Sequence, residues 1–208
     1  MSLQKEKQIY KLLSDEELME KINRRDDRAF AALYDRYSGK MVNYFFTMMR
    51  RDEEKAQDMM QDLFSKLAEK PESFNTERNF KTWFYSIANN MCKNEYRAKE
   101  VRMRVHEDIR ADSAFSENPA KATQMDRETF KQKLDEALQE LEELKRETFV
   151  MRYQEEMSIK EISAIFNCSE GTVKSRLFYT LKDLNSRLKA YQHLAGIAII
   201  SVLWFLFK

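Results

Sequence analysis

The sequence predicts an all-α fold with two helical domains, a flexible linker between them and a C-terminal apolar tail helix. Only three glycines and two prolines occur in 208 residues, so the turn signals that a sheet protein needs are scarce. Apolar residues recur at spacings of three and four through residues 29–97 and 125–188, which is typical of helices that face a core. Residues 105–124 lose that periodicity and contain Pro119, as a linker does.

The predicted organisation has five segments. Residues 1–28 are a charged lead-in, and residues 29–104 form the first domain. The linker covers residues 105–124, the second domain residues 125–190, and the apolar tail residues 191–208. A chain of this length can form one large core or two small ones.

The charge of the chain is distributed unevenly. The net charge is only +1, so any surface that attracts nucleic acid must be local. Residues 81–104 hold six cations against two acids, and residues 170–189 hold five against two. Residues 107–128 hold three cations against six acids. Two basic patches are therefore separated by an acidic interval.

Residues 158–181 predict two short helices joined by a tight turn. Ser158 with Glu161 forms a capping-box pattern, and Ser169 is suited to cap a helix that begins at Glu170. The outward side chains of the second helix suit phosphates and base edges: Thr172, Lys174, Ser175, Arg176, Phe178 and Tyr179. This pattern indicates a helix-turn-helix. The alternative is an ordinary amphipathic helix pair with solvated lysines.

The first domain carries two further candidate surfaces. One is the polar side of a helix that ends near Pro71, which is either a solvated face or a docking surface for a basic partner; it carries Gln57, Asp58, Gln61, Asp62 and Lys66. The other is residues 80–97, where aromatic residues lead into a basic run. Such a pattern suits single-stranded nucleic acid, since stacking contributes roughly 1–3 kcal/mol per base. Trp83 and Phe84 fit the core equally well.

Catalytic and metal-binding patterns do not emerge from the sequence. Cys92 and Cys168 are far apart and form no CxxC motif, which predicts buried free thiols in a reducing compartment. His106 and His193 are isolated, so no metal site and no cofactor are expected. No nucleophile–base pair, carboxylate pair or phosphate loop stands out, and we expect no enzymatic activity.

Three motifs in order resemble the extracytoplasmic-function sigma factors, the compact two-domain group of bacterial RNA polymerase sigma subunits in the sigma-70 family. The first motif is Asp58-Met-Met-Gln61-Asp62-Leu-Phe64. The second runs from Phe80 through Trp83 and Asn90 to Arg97, and the third from Ser158 through Cys168-Ser-Glu-Gly171-Thr-Val173-Lys-Ser-Arg176. The resemblance covers residues 25–188.

The resemblance implies a cytoplasmic protein that binds core RNA polymerase and promoter DNA and is held by an anti-sigma factor. It assigns core-polymerase docking to Asp58, Gln61 and Asp62. It assigns opening of the −10 element and contact with its single strand to Phe74, Asn75, Lys81, Trp83, Asn90, Lys93 and Arg97. It assigns recognition of the −35 element to Glu170, Thr172, Lys174, Ser175, Arg176 and Tyr179.

One position departs from the family pattern. Members usually carry an acid followed by an aromatic residue where this chain has Asn94 and Glu95. An acid that faces DNA would oppose the phosphates, so we expect Glu95 to form an ion pair with Arg97 or Lys99.

The tail, residues 194–207, contains 14 uncharged residues that are apolar except Ser201. As a helix it would reach roughly 21 Å, short of a hydrocarbon thickness of roughly 30 Å. Three interpretations remain: membrane contact as an anchor or monotopic insertion, docking on the protein's own domains or on a partner such as an anti-sigma factor, and an incidental or truncated end.

Two other classes of protein compete with the sigma-factor interpretation. A helix-turn-helix regulator could bind duplex DNA without docking on polymerase, although residues 29–97 resemble neither a sensing domain nor a dimer interface. A membrane-tethered helical scaffold would bind protein only. Copurification with core RNA polymerase separates these alternatives.

Overall fold

The computed structural model describes residues 3–106 and 127–188, and every regular element in these ranges is helical. The predicted tail helix, residues 191–208, lies outside the described residues, and so do residues 107–124 of the predicted linker. Within the described ranges, no helix is both long enough and apolar enough to cross a membrane. Contacts divide the chain into two compact units: the first holds the first four helices, most of the fifth and Ala164–Asn167, and the second holds most of the last four helices.

The first unit contains five α-helices and a single 3₁₀ turn at Pro71–Ser73. The α-helices are α1 (Leu3–Leu12), α2 (Asp15–Asn23), α3 (Asp27–Met48), α4 (Glu53–Glu69) and α5 (Phe80–His106). Helix α3 is the central element, since α1, α2 and α4 all pack against it.

The lead-in residues contribute directly to this first core. A capping box at Ser14 starts α2, because its hydroxyl accepts from the Glu17 amide while the Glu17 carboxylate accepts from the Ser14 amide. Leu18 and Met19 on α2 are completely buried. Each such side chain contributes roughly 1.5–3 kcal/mol by leaving water, so α2 is an integral part of the bundle.

Two tight turns flank α3, and both end in an aspartate that caps the next helix. Asp26 caps α3 and Asp52 caps α4 by accepting backbone amide hydrogen bonds. Arg25 has φ 62°, and the consecutive Arg50 and Arg51 have φ 56° and 68°. These are left-handed conformations that L residues adopt at a cost, and they let the chain reverse within a few residues without a glycine.

The second unit contains α6 (Arg127–Gln139), α7 (Glu143–Phe149), α8 (Ile159–Phe166) and α9 (Glu170–Arg187), with a π-helical turn at Val150–Gln154 after α7. Its core joins α6, α7 and α9 through one apolar cluster: Ala137, Leu138, Leu141, Phe149, Leu181, Leu184 and Leu188. The apolar spacing of residues 125–153 predicts a helix boundary near residues 144–147, and that position is wrong. The break lies between Gln139 and Glu143, where α7 begins without a side-chain cap, so no capping residue marks the boundary in the sequence.

The two cysteines are free, as expected, but only one of them is buried. Cys92 lies in the first core on α5, whereas Cys168 is half-exposed in the turn before α9. The prediction of two buried thiols is therefore wrong for Cys168, since this turn lies at the surface.

Candidate nucleic-acid interface

The polar side of α4 carries the three residues predicted for docking. Ala56, Met59, Met60, Leu63, Phe64 and Leu67 turn toward the core, which leaves Asp58, Gln61 and Asp62 exposed on the opposite side. Among the residues that the structure describes, none of these three makes a hydrogen bond or ion pair with its side chain. The resulting acidic face is therefore open to an external partner.

One side of α5 carries four of the residues predicted for strand contact. Trp83, Asn90, Lys93 and Arg97 follow one another at spacings of seven, three and four, so they lie along one line of the helix. Asn90 and Arg97 are exposed, whereas Trp83 and Lys93 are half-buried. We call these four residues the α5 face. The opposite side of the helix is in the core and includes Phe84, Tyr85 and Ala88.

Phe74 does not share that face. Its side chain is only 3% exposed, and its ring centroid lies 5.5 Å from that of Phe80 and 4.9 Å from that of Trp83. A base cannot stack on a ring that is already covered, so the expectation that Phe74 contacts a strand directly does not fit its position. Phe74 instead supports the inner side of Trp83.

Asn75 and Lys81 also lie apart from the α5 face. Asn75 is exposed in the loop before α5, where its side-chain carbonyl accepts the Glu77 amide at 2.9 Å. Lys81 is on another side of α5, with its ammonium 5.9 Å from the ring centroid of Tyr85. The structure thus brings together four of the seven residues that the sequence predicted for this site.

Glu95 pairs with a residue that the sequence did not suggest. Its carboxylate lies 2.9 Å from the Lys55 ammonium on α4. Neither Arg97 nor Lys99 is its partner in this ion pair, because the side of α5 that carries Glu95 turns toward α4. The prediction of a local pair is therefore wrong. The negative charge of Glu95 is directed away from the α5 face.

The helix-turn-helix begins at α8 with the predicted capping box. The Ser158 hydroxyl accepts from the Glu161 amide at 3.2 Å, and the Glu161 carboxylate accepts from the Ser158 amide at 2.8 Å. The turn to α9 passes through Asn167 at φ 50°, a left-handed position that asparagine tolerates well. Ser169 then caps α9 by accepting the Thr172 amide at 3.1 Å, as the sequence predicts.

Helix α9 presents most of its predicted contact residues to solvent. Glu170, Thr172, Lys174, Ser175 and Tyr179 are exposed, while Val173, Leu177 and Leu181 are buried. The Thr172 hydroxyl lies 2.9 Å from the Ser169 hydroxyl, so it belongs to the cap of the helix. Phe178 and Tyr179 form an exposed aromatic pair with ring centroids 5.5 Å apart.

Arg176 occupies a different environment from its neighbours on α9. It is half-buried, and its Nη1 lies 3.4 Å from the hydroxyl of Thr148 on α7. It also lines an open cleft of about 500 Å³ with Leu144, Lys145, Tyr179 and Lys182. The sequence did not predict Thr148, Lys145 or Lys182 as part of this site. Thr148 and Lys145 are on α7, and only the packing of α7 on α9 brings them beside Arg176.

Asp183 organises the charges at the end of the cleft. Its carboxylate lies 2.9 Å from Arg187 and 3.4 Å from Lys145. Burial favours the neutral acid, but the hydrogen bonds and charges of Arg187 and Lys145 outweigh it and lower the pKa of Asp183. The carboxylate therefore stays ionised and ties α7 to the second half of α9.

Comparisons with known proteins agree with this architecture. Residues 33–102 match the family model for sigma-70 region 2, and residues 131–184 match that for sigma-70 region 4. The chain is 28% identical over 190 residues to the ECF RNA polymerase sigma-E factor of Haemophilus influenzae, covering 85% of this chain and 96% of the relative. It is 28% identical over 182 residues to the RNA polymerase sigma-H factor of Pseudomonas aeruginosa, covering 84% and 94%.

A solved structure has the same fold. It is the sigma factor RpoE of Bartonella quintana in complex with the anti-sigma factor NepR, with a TM-score of 0.62, 24% identity, and coverage of 77% of this chain and 96% of that one. The two matched sigma regions together span more than half of this chain. The chain therefore belongs to the sigma-70 family, within the extracytoplasmic-function group, whose members are non-enzymatic factors that direct RNA polymerase to promoters.

Proposed function

We propose that this sigma factor grips a promoter at two points while docked on core RNA polymerase. In this proposal residues 29–104 act as region 2, residues 125–190 as region 4, and residues 105–124 as the linker. The observation that carries it is the occurrence of three separate surfaces on one chain: the acidic face of α4, the α5 face, and the solvent side of α9.

The acidic face is proposed to dock on a basic surface of the core polymerase. Asp58, Gln61 and Asp62 are exposed and have no partner among the described residues, so a partner gains their charge and hydrogen bonds without breaking internal ones. Electrostatic complementarity of this kind speeds encounter and selects the partner. A regulator that acts without polymerase would not need this face.

The test is copurification of the full chain with core RNA polymerase, using Asp58→Lys and Asp62→Lys separately. Glu20→Lys is the matched control, because Glu20 is exposed on α2 away from α4 and the change of charge is the same. We expect both α4 variants to lose polymerase binding and the control to keep it. A wild-type chain that binds promoter DNA but never core polymerase would establish the alternative, a regulator without polymerase docking.

The α5 face is proposed to hold the non-template strand of the −10 element. Half-buried Trp83 offers an aromatic edge, exposed Asn90 offers donors and acceptors, and Lys93 and Arg97 offer cations. Stacking on Trp83 and attraction to the cations together offset the free-energy cost of unpairing a base, which is roughly a few kcal/mol. In this proposal, the free energy of strand binding drives the opening of the duplex without a chemical step.

Permanganate reactivity of unpaired thymines measures this opening directly. We expect Arg97→Ala and Asn90→Ala to reduce thymine reactivity at the −10 element in the complex with polymerase. Lys99→Ala is the control, because it removes a cation from another side of the same helix. Equal reductions in Arg97→Ala and Lys99→Ala would indicate general electrostatics and contradict a defined face.

Helix α9 is proposed to read the −35 element in the major groove. The exposed Lys174 and Ser175 and the half-buried Arg176 lie in its first half, where recognition helices contact bases. Lys174 would contact phosphate and Arg176 a base edge. We place the protein in the cytoplasm, where polymerase and promoter meet.

We further propose that an anti-sigma factor restrains this protein, in line with the anti-sigma complex of the Bartonella quintana structure. A protein that copurifies with the chain and is displaced by core RNA polymerase would support this. For residues 194–207 we propose membrane association, on the strength of 14 consecutive uncharged residues. Cell fractionation with and without residues 194–208 tests it, and a full-length protein confined to the soluble fraction would refute it.

A further inference from the structure

We propose that Thr148 is a positioning residue that fixes the plane of the Arg176 guanidinium and thereby sets the base preference of α9. Thr148 belongs to α7, outside the helix-turn-helix, and its side chain is completely buried. Its hydroxyl lies 3.4 Å from Arg176 Nη1. This assignment rests on the role of Arg176 as a reader of a base.

The hydrogen-bond directions at Thr148 are mutually consistent. The hydroxyl has one proton, which it donates to the carbonyl of Leu144 one turn earlier at 2.5 Å. Its lone pairs are then directed to accept from a donor, and Arg176 can only donate. The chain of bonds from Arg176 through Thr148 to Leu144 therefore has a single polarity.

A rigid support matters most for arginine. The side chain has many rotamers, and ordering one of them costs up to about 2 kcal/mol of entropy. Holding Nη1 before the DNA arrives removes part of that cost and fixes which edge of the guanidinium enters the groove. A fixed edge matches the paired acceptors of guanine and discriminates against the other bases, whereas a free guanidinium would bind any phosphate nearby.

The cleft beside Arg176 is lined by residues of α9 and of the start of α7, among them the carboxylate of Glu142. Tyr179 and Lys182 share its cleft but project from the same helix. Lys145, also in the cleft, is a cation and donates to Asp183 at 3.4 Å. Thr148 supplies an acceptor from a second helix. The position of the Arg176 guanidinium is therefore fixed by α7 as well as by α9.

The test measures base preference, not affinity. Full-length chain with core RNA polymerase is offered promoters randomised at the −35 element, and the enrichment of each base is measured for wild type, Arg176→Ala, Thr148→Val and Thr148→Ser. We expect Arg176→Ala to abolish a guanine preference at one position. Thr148→Val should weaken the same preference about two- to tenfold, the factor associated with one hydrogen bond, and Thr148→Ser should retain it.

Two controls separate positioning from loss of structure. Thermal unfolding of the valine and serine variants shows whether α7 remains folded, and Thr148→Val in the Arg176→Ala background should change nothing further. A wild-type preference in Thr148→Val, or equal losses in the valine and serine variants, would overturn the role of Thr148. An unaltered preference in Arg176→Ala would overturn the base-reading role of Arg176 itself, and with it the role of Thr148.

Discussion

The ammonium of Lys55 lies 2.9 Å from the carboxylate of Glu95, so an ion pair joins α4 to α5. The two side chains are 36% and 24% exposed, and pairs with such access to water contribute about 0.2–1 kcal/mol. We expect Glu95→Gln to destabilise the protein by an amount in that range. A double-mutant cycle with Lys55→Met, followed by urea unfolding, measures the coupling, and zero coupling would show that the pair does not stabilise the fold.

Lys174 and Arg176 should differ in the kind of binding that they support. Arg176→Ala is expected to weaken binding to the preferred promoter by about 1–3 kcal/mol if Arg176 reads a base. Lys174→Ala should lower the affinity for all sequences and reduce the slope of log binding constant against log salt concentration by about one. Footprinting at two salt concentrations distinguishes them. Unchanged binding in both variants would remove α9 from the recognition role.

The N-cap of α9 should contribute measurably to the free energy of unfolding. Ser169→Ala removes the acceptor for the Thr172 amide and is expected to cost about 0.5–2 kcal/mol. Ser169→Asn keeps a capping oxygen and serves as the matched control. Chemical denaturation compares the two, and equal stability of the alanine variant and wild type would mean that the Ser169 cap does not form in solution.

Phe74 should behave as a core residue. Phe74→Ala is expected to cost about 3–5 kcal/mol, and Phe74→Leu considerably less. In a Trp204→Phe background Trp83 is the single tryptophan of the chain, so its fluorescence reports whether the support from Phe74 is lost. A Phe74→Ala variant with wild-type stability that fails only in strand binding would restore a direct contact role for Phe74.

Acidification should loosen the attachment of α1. The Tyr10 hydroxyl donates to the Asp26 carboxylate at 2.6 Å, and this bond lowers the pKa of Asp26 below its usual value. A depressed folded-state pKa means that the stabilisation is present above the unfolded pKa and is lost as pH falls through the folded one. We expect Tyr10→Phe to raise the pKa of Asp26 in an NMR titration, while Asp26→Asn, which still caps α3, removes this pH dependence.

The local features of the sequence predicted local structure well. The capping residues Ser158 and Ser169 and the apolar stripe of α4 lie where the sequence placed them, because each depends only on neighbours within a few turns. The exposure of the acidic face follows from the same periodicity. The exposed surface of α9 was predictable for the same reason.

Features that depend on packing between helices were not predictable. Glu95 was expected to pair within its own helix, and its partner comes from α4 instead. Phe74 stands in a polar stretch, and only the three-dimensional structure brings it beneath Trp83. Thr148 has no unusual sequence context, and its contact with Arg176 exists because α7 packs against α9.

Helix α5 runs without interruption from Phe80 to His106. Its rise of about 1.5 Å per residue separates Trp83 from Arg97 by roughly 21 Å along the axis. Successive nucleotides of one strand are spaced about 3.4 Å apart in a duplex, so this distance corresponds to about six of them, or fewer if the strand is stretched. If the α5 face holds the strand as proposed, the continuity of this single helix limits the length of separated strand that one molecule can hold, independently of which bases it contains.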